Sequence, residues 1–121
     1  MDVNKIHILE EVVRKNFKSS NFDAFLLNES GDVIVSKLRK EGEEINENAI
    51  VLLENCKCIS SCIKEGGVED FILHGKGGYI VAVPLRSLVL VASGVQESEI
   101  EKTLKRVKKV VGIIEDLKAG I

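Results

Sequence analysis

The residues best suited to chemistry in this sequence are three cysteines in the stretch ENCKCISSC, residues 54–62. Closely spaced thiolates serve as metal ligands, as redox pairs or as nucleophiles. Because each residue of a helix advances by about 100°, a helix here would point Cys56 and Cys58 in nearly opposite directions. The three thiols of one chain therefore cannot meet on one ion, and a zinc site within one chain would also lack its fourth ligand.

Two of the cysteines nevertheless share a helix face. Cys56 falls on the apolar stripe and is interpreted as a small buried residue. Cys58 and Cys62 form a second stripe with Val51 and Asn55, at spacings of four, three and four residues. One alternative stays open: two copies of this helix packed together would bring four thiols within reach of a metal ion or a disulfide. Otherwise the stripe is a seam of small residues between helices.

The other candidate motifs give no catalytic constellation. His7 and His74 are the only histidines, and no Ser-His-Asp set, paired-carboxylate motif or metal-ligand spacing accompanies them. We therefore expect no catalytic residue, no metal and no cofactor, and His74 is interpreted as a surface or interface residue. The glycine-rich HGKGG at 74–78 lies between two predicted strands, so it predicts a hairpin turn and not a phosphate-binding loop.

Charge and hydropathy exclude several classes of partner. The net charge is −2, no apolar run approaches the roughly 20 residues that span a bilayer, and the N-terminus has no signal-peptide pattern. The basic run KTLKRVKK at 102–109 is interpreted as the solvated face of the last helix, with contact to phosphates or to an acidic partner as the alternative. No stacking aromatics accompany the run, which argues against single-strand nucleic-acid binding. We expect neither a nucleic acid nor a membrane as partner. An odd, clustered set of cysteines predicts a cytoplasmic protein.

Hydrophobic periodicity and turn residues divide the chain into eight elements of a single domain, residues 1–121. A capping box at Ser98 and Glu101 predicts the start of the last helix. The elements are a helix at 2–18, strands at 22–28 and 33–38, a middle helix from Asn46 to about Lys64, strands at 69–75, 79–85 and 87–93, and the last helix.

This order predicts an α+β fold. The short connections require an antiparallel sheet, here of five strands. The strands at 22–28 and 87–93 are apolar on both faces, so helices must cover both faces of the sheet. The strand EDFILHG at 69–75 follows a crossover helix and is expected at an edge. Its consecutive Phe71, Ile72 and Leu73 would aggregate there unless they are covered or paired. Pairing with a second copy of the strand across a two-fold axis would protect this edge.

The pattern resembles the Roadblock family, the dynein light-chain type of domain, within the wider profilin-like group. The residues that carry the resemblance are DAFLLNESGDVIVSK at 23–37, EDFILHGKGGYIVAVPL at 69–85 and SLVLVAS at 87–93 with the helix that follows. They cover nearly the whole chain. The resemblance implies a homodimer joined through the third strands, with the second helices packed antiparallel on one face.

The resemblance also implies a function and the residues that perform it. Such domains are platforms that bind and regulate small Ras-like GTPases and have no catalytic residues of their own. We accordingly predict a dimer interface and a partner-binding face. The interface comprises Phe71, Ile72, Leu73, His74, Val51, Asn55, Cys58 and Cys62, and the partner-binding face comprises Glu54, Asn55, Cys58 and Cys62. The alternative is a small-ligand sensor of the profilin-like type, which requires an apolar pocket with convergent polar groups. An enzyme is the weakest interpretation.

Overall fold

The computed structural model describes residues 3–18, 22–28, 30–37, 69–75 and 77–119. Seven helices and strands and one short 3₁₀ turn are formed in these ranges. The first helix and the five strands lie within two residues of their predicted bounds, and the 3₁₀ turn was not predicted. The predicted middle helix falls outside the described residues. The elements are α1 Val3–Asn16, β1 Asp23–Leu27, β2 Val33–Lys37, β3 Phe71–Gly75, β4 Gly78–Leu85, β5 Leu88–Gly94, the turn Glu97–Glu99 and α2 Ile100–Ala119.

The five strands form one antiparallel sheet in the order β2-β1-β5-β4-β3. All seven residues of β5 are buried, which confirms that the last strand runs through the middle of the sheet. The edges are β2 and β3, as expected for the strand at 69–75. Antiparallel neighbours with short connections account for this order, since β1–β2, β3–β4 and β4–β5 are all hairpins.

The hairpin turns follow from the residues at their tips. The Asn28 side chain accepts hydrogen bonds from the backbone N–H groups of Ser30 and Asp32, at 3.0 and 2.9 Å, and Gly31 takes a φ of 85°. This Asx-type turn joins β1 to β2. Between β4 and β5 the tip residue is Arg86, whose φ of 51° is left-handed and unusual for a residue with a side chain.

One face of the sheet, called here the first face, is covered by both helices. The apolar stripe of α1 at Leu9, Val13 and Phe17 is buried against it, with the Phe22 ring edge-on to Phe17 at 5.4 Å between centroids. Helical spacing predicts an apolar stripe on α2, and each residue of that stripe is buried or half-buried: Ile100, Leu104, Val107, Val111, Ile114 and Leu117. Helical spacing of three and four residues therefore builds this core, which also takes in Ala24, Leu26, Val35, Val83, Leu88, Leu90, Ala92, Val107, Val110, Val111 and Ile114.

The opposite face, called here the second face, is buried as well. Its cluster comprises Phe25, Leu27, Ile80, Ala82, Val89 and Val91, each no more than 3% exposed, with Phe71 packed against it. Within the described part of the chain this cluster draws on strands alone. The expectation of helices on both faces is thus met for the first face, while the middle helix assigned to the second face lies outside the described residues.

The start of α2 differs from the prediction. Ser98 does not cap the helix but lies inside the 3₁₀ turn Glu97–Glu99, and Gln96 occupies the cap position without a side-chain hydrogen bond. The Glu99 backbone N–H donates to the Gln96 carbonyl at 3.0 Å, so the chain has already begun to coil before Ser98. The predicted capping box of Ser98 and Glu101 was therefore wrong.

A buried hydroxyl pair attaches α2 to the sheet. The Tyr79 hydroxyl on β4 and the Thr103 hydroxyl on α2 are 2.6 Å apart, and both residues are 1% exposed. Each buried hydroxyl thus has a hydrogen-bond partner, which avoids the cost of an unpaired polar group. Tyr79 belongs to a small cluster on the first face with Val81 and Ile100.

Candidate functional site

The free edge of the sheet at β3 is the candidate functional site. Among the described strands β3 pairs only with β4, over five residues in unbroken register from Phe71↔Ala82 to Gly75↔Gly78. Alternate backbone N–H and C=O groups of an edge strand point away from the sheet, where another strand can bind them. The sequence-based expectation of an edge at this strand is therefore correct.

The four predicted edge residues divide between the two faces. Cross-strand partners point to the same face, so the pairs Phe71↔Ala82 and Leu73↔Ile80 place Phe71 and Leu73 on the second face. Ile72 and His74 then lie on the first face, beside α2. The structure brings all four residues to one edge, with two side chains on each face.

The edge carries exposed apolar surface. Ile72 is 38% exposed and Leu73 is 43% exposed, while Phe71 is half-buried against the second-face cluster. Large exposed apolar residues occur singly elsewhere in the described ranges, at Val3, Ile8, Val33 and Val95. At β3 two are consecutive, on a strand whose backbone is open to pairing. Because successive side chains of a strand alternate, these two residues expose apolar surface on both faces of the same edge.

Two polar side-chain contacts flank β3 on the side of α2. His74 Nδ1 lies 3.0 Å from Glu97 Oε1, and Asp70 Oδ2 lies 3.1 Å from Lys108 Nζ. The side chains of the His74 pair are more than half exposed, so this pair adds little to stability. Both pairs hold the ends of β3 near α2 and leave its outer edge uncovered by any described element.

The other edge of the sheet, at β2, has features that oppose pairing. The β1–β2 register shifts between Leu26 and Leu27, which is a bulge-type irregularity, and the strand ends in Lys37. Partial burial lowers the pKa of Lys37, and the Asp23 carboxylate opposes that effect. Bulges and charged residues protect natural edge strands from association. β3 pairs with β4 in unbroken register and carries no lysine or arginine, so the two edges differ in kind.

The remaining predicted site residues fall in the middle segment. Val51, Glu54, Asn55, Cys58 and Cys62 lie outside the described residues, as does Cys56. Their assignment to a dimer interface, to partner binding or to a metal site across two copies stays a prediction.

The described residues offer no assembled catalytic or metal centre. No group of three or more His, Cys, Asp or Glu side chains within them is placed to hold a metal ion. His7 is exposed on α1 and His74 on β3. The glycine-rich segment at 74–78 joins β3 to β4 and includes Gly78, with a φ of 147°, so it serves as a hairpin turn as predicted. None of the described helices is both long enough and apolar enough to cross a membrane.

The buried polar residues do not converge on a ligand cavity. In the described ranges they are Asp23, Ser93 and Thr103. Thr103 is hydrogen-bonded to Tyr79, and Asp23 and Ser93 face each other in the β1–β5 register. A sensor pocket needs polar groups that surround an apolar space. The arrangement therefore gives no support to the small-ligand alternative.

The basic run of α2 was visible in the sequence, but its position beside the end of α1 was not. The basic run at 102–109 was interpreted as a solvated face, yet part of it lines a groove that α2 forms with the C-terminal end of α1. Lys15 at the end of α1 and Lys18 just after it complete that groove. Only the contact between two helices far apart in sequence reveals it, although the run itself was a visible signal.

This architecture, a five-stranded antiparallel sheet with the N-terminal and C-terminal helices on one face, is that of Roadblock/LC7 domains. No protein-family model and no curated protein matches the sequence. Solved structures match it over nearly the whole chain. At the sequence identities observed, this likeness establishes the fold.

Three of these structures are particularly informative. Myxococcus xanthus MglB is 15% identical, with 100% of this chain and 96% of that chain covered at a TM-score of 0.66. The gliding protein MglB from Thermus thermophilus is 12% identical, with 94% and 93% covered at a TM-score of 0.66. A Roadblock/LC7 domain from Streptomyces avermitilis is 10% identical, with 91% and 97% covered at a TM-score of 0.65. The chain thus matches both MglB proteins and Roadblock/LC7 domains at nearly full length.

Proposed function

We propose that this protein is a homodimeric, non-catalytic platform that binds and regulates a small Ras-like GTPase. The observation that carries the proposal is the unprotected apolar edge at β3 in a chain that has the MglB fold over nearly its full length. The Roadblock resemblance implies both the dimer and the class of partner. The exposed edge supplies an independent physical reason for the dimer.

The proposed dimer joins the two β3 strands across a two-fold axis. Antiparallel pairing of the same strand from two copies satisfies the open backbone groups and produces one continuous sheet. Phe71 and Leu73 of each copy then meet on the second face, and Ile72 and His74 meet on the first. Pairing would remove the exposed apolar area at Ile72 and Leu73 from water, which stabilises the association.

The second face is where the proposal places the middle segment. We infer that residues 46–64 form the middle helix and cover the second-face cluster, whose strand residues are already buried. In the dimer the two middle helices would then lie side by side above the joined strands. The seam between them would be lined by Val51, Asn55, Cys58 and Cys62. The surface that contacts the GTPase would comprise Glu54, Asn55, Cys58 and Cys62.

Regulation in this proposal requires no chemical group from the platform. A GTPase already holds its nucleotide, metal ion and attacking water, and its rate depends on how the switch regions are held. A rigid paired surface can favour one switch conformation over another. The proposal is therefore compatible with the absence of a catalytic constellation from the sequence.

The test is binding to the Ras-like GTPases of the source genome, each loaded in turn with GDP and with a non-hydrolysable GTP analogue. We expect the intact chain to bind one of them with a preference between the two nucleotide states. Leu73→Lys, which charges the edge of β3, should abolish that binding, whereas Val33→Lys on the opposite edge should not. Equal binding by the two variants, or no nucleotide preference for any of the GTPases, would contradict the proposal.

A further inference from the structure

A basic groove lies between the two helices that cover the first face. It encloses about 550 Å³ between the C-terminal end of α1 and the first half of α2. Six of its seven lining residues are cationic and none is acidic. The lining residues are Lys15, Asn16, Lys18, Lys102, Lys105, Arg106 and Lys109.

The groove follows from the helical spacing of the basic run. Its α2 members recur at i, i+3, i+4 and i+7 from Lys102, which places them in one row along the helix. Thr103, Val107 and Val110 are buried against the sheet and fix the rotation of α2. The neighbouring row of cations consequently faces Lys15 of α1 and Lys18 just after that helix. Lys108 lies off this row and pairs with Asp70 instead.

Among the described residues, no acidic side chain pairs with the cations of the groove. Within the described residues none of the six forms an ion pair, although Arg14 on the same helix pairs with Glu10 at 3.0 Å. Like charges at these spacings repel one another. Lys102 also lies near the N-terminus of α2, where the helix dipole disfavours a cation. The whole chain is slightly acidic, so its composition does not explain the concentration of positive charge.

We propose that this groove binds a compact ligand that carries several phosphate groups. Arg106 is half-buried and can present its planar guanidinium to two phosphate oxygens, while the exposed lysines surround the rest of the ligand as point charges. The volume is that of an ordinary small-molecule site. No aromatic side chain lines the groove, so it recognises phosphate and does not stack a base.

The phosphate groups have two possible sources, a soluble polyphosphate and the headgroup of a phosphoinositide lipid. The first source requires binding free in solution. The second requires that the α1 and α2 side of the molecule face a membrane surface. The groove is formed by helices on the first face and includes no residue of β3, so its occupancy does not depend on dimer formation or on a GTPase.

The direct test is calorimetric titration of the intact protein with tripolyphosphate at low ionic strength. We expect saturable binding that weakens as salt is added, because salt screens exposed charges. Lys105→Gln and Arg106→Gln should each weaken binding by about tenfold, which is the effect of losing one charge-assisted contact. Lys108→Gln is the matched control, since it removes the same charge from the same run of α2 but lies outside the groove. It should bind as the unmodified protein does.

A second experiment distinguishes the sources. Vesicles that contain a phosphoinositide bisphosphate are compared with phosphatidylserine vesicles of equal surface charge. Recruitment to the former alone, reversed by tripolyphosphate and lost in Arg106→Gln, supports the groove with a lipid headgroup as its ligand. Tripolyphosphate binding without recruitment to vesicles supports the groove with a soluble polyphosphate as its ligand.

Several results would overturn the proposal. One is the absence of tripolyphosphate binding at millimolar concentration. Another is an equal loss of binding in Lys108→Gln and Lys105→Gln, which would show that only diffuse charge matters. Tighter binding of an acidic peptide or of duplex DNA than of tripolyphosphate would also contradict it, because the occupant would then belong to another class of molecule.

Discussion

The hydrogen-bonded hydroxyl groups of Tyr79 and Thr103 link the sheet directly to α2. The two side chains are separated by 24 residues in sequence and by 2.6 Å between their oxygen atoms. Tyr79 is the only tyrosine and the chain has no tryptophan, so its absorbance and fluorescence report on the surroundings of this one side chain. The hydrogen bond can therefore be followed spectroscopically without a label.

Removing either hydroxyl should destabilise the fold. Tyr79→Phe leaves the Thr103 hydroxyl buried and unpaired, and Thr103→Val leaves that of Tyr79, so each should lower the free energy of unfolding by about 1–3 kcal/mol. The double variant removes both polar groups, so its free energy of unfolding should be little lower than that of either single variant. Urea unfolding of the four proteins measures the coupling. Additive losses would show that the two hydroxyls do not interact.

Alkaline pH should weaken the fold through Tyr79. Burial raises the pKa of Tyr79 above its usual value, repulsion from Glu99 adds to the effect, and the hydrogen bond from Thr103 opposes it. Above a pH of about 10 the unfolded chain loses this proton before the folded chain does. The free energy of unfolding should therefore fall as pH rises past that point, until the folded tyrosine ionises as well.

The comparison with Tyr79→Phe isolates this effect, because lysines titrate in the same range. The stability difference between the two proteins should shrink with rising pH, and tyrosinate absorbance should appear at a higher pH in the folded protein than in urea. Tyrosinate absorbance with the same midpoint under both conditions would refute the explanation.

At the scale of elements, the close approach of β5 to the ring of Tyr79 depends on Gly94. A Cβ atom at Gly94 would lie 2.5 Å from the Tyr79 hydroxyl oxygen and 2.7 Å from ring atom Cζ. The ring cannot move away easily, because its hydroxyl is bonded to Thr103 in the core. We expect Gly94→Ala to lower the free energy of unfolding by about 1–3 kcal/mol, as overpacked cores do.

Gly112 provides the matched control for that prediction. It lies on α2, and a Cβ there would have no atom within 4 Å. Gly112→Ala should raise stability by up to about 1 kcal/mol, since alanine favours a helix over glycine. Thermal unfolding of both variants is the measurement. A neutral Gly94→Ala would mean that the ring of Tyr79 is free to shift.

Much of the fold could be predicted from patterns within the elements. Short apolar runs on either side of the turn residues at 29–32 located β1 and β2, and spacing by three and four residues identified the buried stripes of α1 and α2. Those signals are local, because each depends on residues that are close together in the sequence. The start of α2 was misplaced because a 3₁₀ turn and a capping box share the same short polar sequence. The pairing of Tyr79 with Thr103 and the basic groove depend on packing between distant segments, which no local pattern contains.

The candidate site could be predicted only in part, and for the same reason. The edge position of β3 followed from the crossover connection before it, and the apolar, proline-free run from Phe71 to Leu73 indicated that this edge is unprotected. The difference between this edge and the protected edge at β2 could not be predicted from the sequence. It depends on the register of β1 and β2, which is irregular near Leu27. The residues of the middle segment were assigned through the Roadblock resemblance, and they remain predictions.

At the scale of the whole molecule, the uneven distribution of charge should affect stability. The six cations of the groove repel one another, although the chain as a whole carries a small negative charge. Lys105→Gln should therefore raise the free energy of unfolding at low ionic strength, by up to about 0.5 kcal/mol. The gain should disappear in high salt, where exposed charges are screened. Denaturant unfolding at two salt concentrations measures it, and a loss of stability in low salt would contradict the account.

The central claim is that the free edge of β3 pairs with a second copy of itself. Its most direct test is the molecular mass in sedimentation equilibrium at micromolar concentration, for the unmodified protein, Leu73→Lys and Val33→Lys. Val33 is the matched control because it is a similarly exposed residue, 38% against 43%, on the opposite edge of the sheet. We expect twice the 13.3 kDa of one chain for the unmodified protein and for Val33→Lys, and a single chain for Leu73→Lys. A monomeric unmodified protein, or a Leu73→Lys variant that stays dimeric, would contradict the claim.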